Sequence, residues 1–284
     1  MNHQLNASWP VVLSIAGFDP SSGAGIAADL KTFGAHGCYG VAAITALTIQ
    51  NTQGVTAIYP TEAAILKDTI AALLSDGRVK AIKVGMVANL ANAEVICGVL
   101  ESNPALPAVL DPVFRSSSGR DLAEGACQEF VRDQLIKRAY VITPNLFEAS
   151  ALTGLRVENQ EAMKAAARKL VEMGGRAVVV TGGHLDRAID VLFDGSRLEV
   201  FTGDRVKPEN THGTGCTFSS AIAANLALGR PLRDAVVLAK VYVTEAIRKA
   251  YAVGPGRVPL NHLYRMTQPA RVADHSPAIH EPVA

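Results

Sequence analysis

His212-Gly213-Thr214-Gly215-Cys216 is the stretch of this 284-residue chain whose residue types and spacing could do the most specific chemistry. Glycines let successive backbone N–H groups turn into one space. A helix expected from about Thr217 adds its unpaired first N–H groups and its positive dipole end. Together they make a hole for an anion, suited to charge on a transferring phosphoryl group. Taken alone, the segment fits a plain strand-to-helix turn equally well.

Four other segments share its character. They are the run from Gly17 to Gly25, then Asp111-Pro112-Val113, Thr143-Pro144-Asn145 with Glu148, and Thr181-Gly182-Gly183-His184. Asn145 and Glu148, three apart, share one face of a starting helix, which unaided reads as a helix cap. The chain has no GxxxxGK[ST] loop, and Gly23-Ala24-Gly25 is followed by Ala28 where a dinucleotide fingerprint needs its third glycine.

Each of these segments follows an apolar run. Residues 11–16, 41–47, 79–84, 108–110, 140–142 and 177–180 read as strands. Ile26, Leu30 and Phe33 stripe one helix, and Leu66, Ile70 and Leu73 another. Residues 162–173 make a third, stopped by Gly174-Gly175. Residues 189–193 and 198–201 read as a hairpin, and Leu232, Val236, Ala239, Val243 and Ile247 stripe a long last helix. Strand-then-helix alternation predicts an α/β fold: a three-layer α/β/α sandwich on a mainly parallel sheet. Ligands of such sheets bind beyond the carboxyl ends of the strands, where the polar segments fall. One domain over residues 11–266 is expected, between a tail at 1–10 and a flexible or loosely docked tail at 267–284.

Composition excludes several classes. With 49% hydrophobic residues and a net charge of +1, no long-range field draws the chain to nucleic acid or an anionic membrane. Cys38, Cys97, Cys127 and Cys216 are scattered without zinc spacing, which reads as reduced thiols in a cytoplasmic protein. The N-terminus lacks a signal-peptide pattern, and no apolar run is long enough to span a bilayer.

These motifs, in this order, resemble bacterial hydroxymethylpyrimidine/phosphomethylpyrimidine kinases, thiamine-synthesis enzymes of the ribokinase-like superfamily. The matching stretches also include residues 15–20, 23–32, 45–52 and Lys83-Val84-Gly85-Met86. The resemblance implies a ribokinase-like fold, ATP as co-substrate, Mg2+, a small-molecule substrate and a homodimer. It implies that Gln50 reads an aminopyrimidine edge, for which an amide offers donor and acceptor side by side. It implies that Asp29 meets the substrate hydroxymethyl group and that Gly17, Met86 and Val113 line the ring pocket. By themselves, Gln50 reads as a solvated strand end, Asp29 as a dipole-favoured helix residue, and the other three as core.

On the nucleotide side, Asn145 and Glu148 match an N-x-x-E motif for magnesium and phosphates, with Asp111 a second candidate metal ligand. Thr181, Gly182, Gly183 and His184 match a nucleotide-contacting turn, and Lys240 a segment near the nucleotide; alone, Lys240 reads as a solvated helix lysine. Gly213, Thr214, Gly215 and Cys216 become the catalytic loop. Many sugar kinases of the superfamily carry a basic Asp where Cys216 stands. A thiolate base is the expectation there, because a helix N-terminus lowers a thiol's pKa from about 8.5. The chain departs from the pattern at Ser21-Ser22, where consecutive glycines are common, which stiffens that loop. It departs again at Thr181, where lysine is frequent. A pyridoxal/pyridoxine kinase is the nearest rival, and a catalytically silent ligand sensor on the same fold a more distant one.

Overall fold

The computed structural model describes residues 9–123, 125–183, 185, 187–208 and 211–266. His184, most of the N-terminal tail and the tail from 267 lie outside the described residues. The chain runs β1 (Val11–Phe18), α1 (Gly25–Ala35), β2 (Tyr39–Asn51), β3 (Gly54–Pro60), α2 (Ala63–Ser75), β4 (Val79–Val84), α3 (Leu90–Ser102) and β5 (Ala108–Leu110). It continues α4 (Gly125–Asp133), β6 (Val141–Ile142), α5 (Leu146–Thr153), α6 (Gln160–Glu172), β7 (Val178–Gly182), β8 (Ala188–Phe193) and β9 (Leu198–Gly203). It ends β10 (Thr211–His212), α7 (Thr214–Ala227), α8 (Leu232–Arg248) and β11 (Val258–Pro259).

Nine strands form one sheet in the order β3-β2-β1-β4-β5-β6-β7-β8-β9. From β2 to β7 every pairing is parallel; β3, β8 and β9 add antiparallel edges. Alternation along β1 sends Leu13 and Ile15 to a core shared with α2, α3 and α6, and Val12 to a core shared with α1, α7 and α8. This is the three-layer α/β/α sandwich expected. In α7, Phe218 to Ala224 are all buried between the sheet and α8.

The same alternation places a polar group inside the sandwich. Ser14 shares the Val12 face of β1, and Lys83 shares the Ala81 face of β4. The two are register partners in the parallel ladder. Both point at α1 and α7, where Asp29 and Ser220 wait.

Two readings needed lengthening. β2 runs on to Asn51 and returns as β3, because the polar residues after Leu47 leave the sheet's body as a two-stranded flap. α7 begins at Thr214, not near Thr217, because Gly213 at φ +82° makes the break and the three residues after it are already helical.

The β1–α1 loop is strained where glycines are common in the resembling family. Ser22 sits at φ +62°. A left-handed residue with a Cβ costs roughly 1–2 kcal/mol, partly offset by the chain entropy a glycine would lose. Ser22→Gly should therefore stabilise the protein by about 0.5–1 kcal/mol in denaturant unfolding. A destabilised variant would show that the serine hydroxyl, not backbone freedom, matters there.

Candidate active site

A cleft of ≈ 610 Å³ opens beyond the carboxyl ends of the parallel strands. Its back wall is the segment 213–216, all of which lines it. Gly213 caps α7 in the left-handed region, and a Cβ there would run into the Gly23 carbonyl. Only glycine lets the two loops touch. The first helical bond is Thr217 N–H to Gly213 O at 2.9 Å. The N–H groups of Thr214, Gly215 and Cys216 therefore have no carbonyl four residues back, and they stand at the positive end of a 14-residue helix.

The floor is an ion pair. Lys83 Nζ lies 3.0 and 2.9 Å from the two oxygens of Asp29, and both side chains are wholly buried. Ser14 and Ser220 each donate to Asp29 at 2.6 Å. Burial opposes charge on Lys83, but the Asp29 carboxylate, with smaller help from Cys216 and Asp111, raises it overall and holds the ammonium charged. Lys83 reaches the cleft; Asp29 does not line it. This corrects the reading of Asp29 as the direct partner of a substrate hydroxyl: its acceptors are already filled by the lysine and two serines. Lys83 lies in a matching stretch but has no place in the expected site. Its signal was a lysine inside an apolar central strand.

Cys216 also departs from expectation. Burial pushes its thiol up to about 12; Lys83 pulls the other way, while the Asp111 and Asp29 charges add to the rise. The net shift is upward, which favours a thiol at Cys216 rather than the thiolate base expected. Beside it, the Asp111 carboxylate accepts from the Ser219 hydroxyl at 3.2 Å.

Asp111 and Glu148 are both buried. Burial raises the Asp111 carboxyl, and Lys83 offsets part of that. Burial, then the Asp111 charge, raises Glu148 well above its ordinary value. Glu148 is indeed part of a capping box: Asn145 N–H donates to Glu148 Oε2 at 2.9 Å, and Glu148 N–H to Asn145 Oδ1 at 3.0 Å. The cap and the site are one arrangement, since capping aims the carboxyl into the cleft.

On one side of this centre stand Gly17, Met86, Val113 and Gln50. A Cβ on Gly17 would lie 2.9 Å from Met86 Sδ, so the glycine makes room for the methionine. Gln50 approaches His212, whose Nε2 lies 2.8 Å from Asp19 Oδ2. On the other side stand Asn145, Thr181, Gly183 and Lys240. Gly182 is absent from the lining. It is needed for packing instead, because a Cβ would lie 2.7 Å from Ile189 O. Lys240 is no solvated lysine: it pairs with Asp190 at 2.6 Å and donates to Ala188 O at 3.0 Å.

Known proteins share this architecture. A family model described as phosphomethylpyrimidine kinase matches residues 19–261. The hydroxymethylpyrimidine/phosphomethylpyrimidine kinase of Aquifex aeolicus is 42% identical over 248 residues, 87% of this chain and 97% of that one. The thiamine biosynthesis bifunctional protein ThiED of Geobacter sulfurreducens is 42% identical over 254 residues, 89% of this chain. The match spans only about half, 52%, of that longer protein. Among solved structures, an ADP complex of Bacillus subtilis pyridoxal kinase superposes with a TM-score of 0.82 at 35% identity. It covers 90% of this chain and 98% of its own.

With the Cys216 thiol pushed up to about 12, the thiol is the dominant form at pH 8. Iodoacetamide should therefore label Cys216 of the native, ligand-free protein far more slowly than it labels the urea-unfolded chain. Mass spectrometry of the peptide reads this out. Labelling at the unfolded rate would restore the thiolate.

Proposed function

This chain belongs to the phosphomethylpyrimidine kinase family, and on that premise we propose that it phosphorylates 4-amino-5-hydroxymethyl-2-methylpyrimidine with ATP and then phosphorylates the monophosphate to the diphosphate. The carrying observation is that one cleft joins a small apolar wall with a single amide to an anion loop and two buried carboxyls. The wall of Gly17, Met86 and Val113 suits a flat ring, with Gln50 for its amine and ring nitrogen. Asn145, Thr181, Gly183 and Lys240 form the nucleotide side, and the N–H groups of 214–216 take the charge of the transferred group. His184, which belongs to the same proposed turn, lies outside the described residues.

Asp111 and Glu148 fit Mg2+. Two buried carboxyls, one raised by its neighbour's charge, are relieved by a hard cation. No cluster of three or more His, Cys, Asp or Glu among the described residues could hold a metal. The remaining ligands would be water and phosphate oxygens, as this cation prefers. When bound, the ion supplies charge neutralisation between phosphates. Lys83 adds fixed positive charge under the acceptor oxygen as its bond to the γ-phosphorus forms, the bond from that phosphorus to the ADP oxygen breaks with ADP leaving, and the hydroxyl proton passes to a phosphoryl oxygen or to water. A loose transition state asks little of a base, and the monophosphate acceptor is already anionic, so a neutral Cys216 is compatible with both steps.

A pyridoxal kinase is the second reading, favoured by the 0.82 superposition on one. The deciding experiment offers ATP with hydroxymethylpyrimidine, its monophosphate, and pyridoxal as separate acceptors. The two pyrimidines should be turned over with higher kcat/KM than pyridoxal. Gln50→Leu should raise the KM for hydroxymethylpyrimidine at least tenfold, about 1.4 kcal/mol. Preference for pyridoxal, or an unmoved KM, would sink the assignment.

We further propose a homodimer in the cytoplasm. On the flap, Leu47 and Tyr59 are cross-strand partners. They and Ile49 are more than half exposed. A second copy would bury this apolar strip, which a lone flap leaves in water. No helix among the described residues is long and apolar enough to cross a membrane. In analytical ultracentrifugation the protein should sediment as a dimer at micromolar concentration, and Leu47→Glu with Ile49→Glu should give monomers. A monomeric parent protein would remove the proposal.

A further inference from the structure

His212 stands where four segments of the site meet. It directly precedes the anion loop, and its ring covers Gly23, where a Cβ would strike it. Its Nδ1 lies 3.3 Å from Ser117 Oγ in the loop after β5. Its Nε2 lies 2.8 Å from Asp19 Oδ2 and 3.0 Å from the Gln50 side-chain amide. The ring is buried, 8% exposed.

Donor counting fixes what these contacts mean. Asp19 Oδ1 accepts from Ser21 N–H and O–H, and Oδ2 accepts from Gly23 and Ala24 N–H. A carboxylate so placed takes only a donor from the imidazole, so Nε2 carries hydrogen. Thr48 Oγ1 gives its single hydrogen to Phe18 O at 2.9 Å, so toward Gln50, 3.3 Å away, it can only accept. One amide orientation suits both neighbours: its nitrogen faces Thr48 Oγ1, and its oxygen faces His212 Nε2–H, whose single hydrogen is then shared between Asp19 Oδ2 at 2.8 Å and the Gln50 side chain at 3.0 Å. A half-turn of the amide, which leaves its shape unchanged, gives this arrangement.

We propose that His212 is a positioning residue for ring recognition: its Nε2–H, anchored on Asp19, sets the Gln50 amide so that one N–H and one oxygen lone pair face the cleft. A ring edge with an acceptor nitrogen beside an amine donor is the chemistry this selects. The proposal rests on the ring reading of Gln50 given above. It also couples the ring wall to the anion loop, since His212 and Gly213 are consecutive.

Calorimetric titration of hydroxymethylpyrimidine, without ATP, into the full-length protein tests it apart from turnover. His212→Phe keeps the ring over Gly23 but loses the N–H, and should weaken Kd at least tenfold. His212→Gln keeps an N–H donor and should stay within threefold of the parent protein. In a Gln50→Leu background, His212→Phe should cost less than threefold, because its route to the ligand is gone. An equal loss in that background, or an unchanged Kd for His212→Phe, overturns the proposal. Should His212→Phe not fold by circular dichroism, His212→Leu takes its place in the same cycle. A parent protein that binds no hydroxymethylpyrimidine at millimolar concentration overturns the ring reading itself, before any His212 variant is made.

Discussion

The Lys83–Asp29 pair is the interaction on which the rest of the site depends. Desolvating two charges costs several kcal/mol per ion, and their attraction repays it only with good geometry and full hydrogen bonding. Both conditions are met: two contacts at 2.9–3.0 Å, and two serine hydroxyls on the same carboxylate. The four side chains come from β4, α1, β1 and α7, so the pair joins two strands to two helices. Satisfying Asp29 requires α7 in one position, and that position sets the anion loop at its N-terminus. A polar network of this kind costs stability relative to apolar packing, and what it provides here is a fixed positive charge at the foot of the cleft.

Glycine placement follows from that constraint. A Cβ on Gly85 would lie 2.7 Å from Lys83 Nζ, so the lysine's path out of β4 needs this glycine. Gly213 and Gly23 likewise exist to let two loops touch. Around this rigid floor the cleft holds opposed charges that are only partly balanced. Asp111 and Glu148 are both raised by burial, while the N–H groups of α7 have no partner in the helix. On the proposed function, a cation and a polyanion arriving together would relieve both.

Sequence made the outline of this legible. Polar segments after apolar runs marked the carboxyl ends of the strands, and Gly17, Gln50, Asp111, Asn145 and Cys216 do meet at one cleft. Three things escaped, each for a physical reason. Asp29 and Lys83 exchanged importance, because a motif records which residues belong together but not which one faces inward. The flap strand β3 was missed, because its half-exposed residues carry neither a clean alternation nor a turn signal before Gly54. The Cys216 thiol was read from its helix end alone, whereas burial is the larger effect and depends on a cleft that no local pattern reveals.

That neutral thiol bears on why a cysteine, not an aspartate, stands at 216. A carboxylate there would lie beside Asp111 and within reach of Asp29, adding a third negative charge around one lysine. At an effective dielectric of 20, like charges 4 Å apart repel by about 4 kcal/mol. A neutral alcohol could still approach such a site and would gain a base. A phosphorylated acceptor would meet the repulsion in full. The thiol gives up basic strength and keeps the charge of the pocket low, while the Lys83 charge, already paired with Asp29, and the α7 N–H groups are left to favour an anion on either side of the transferred phosphoryl. One pocket can then accept a hydroxyl in its first turnover and a phosphate in its second, with the same floor serving both.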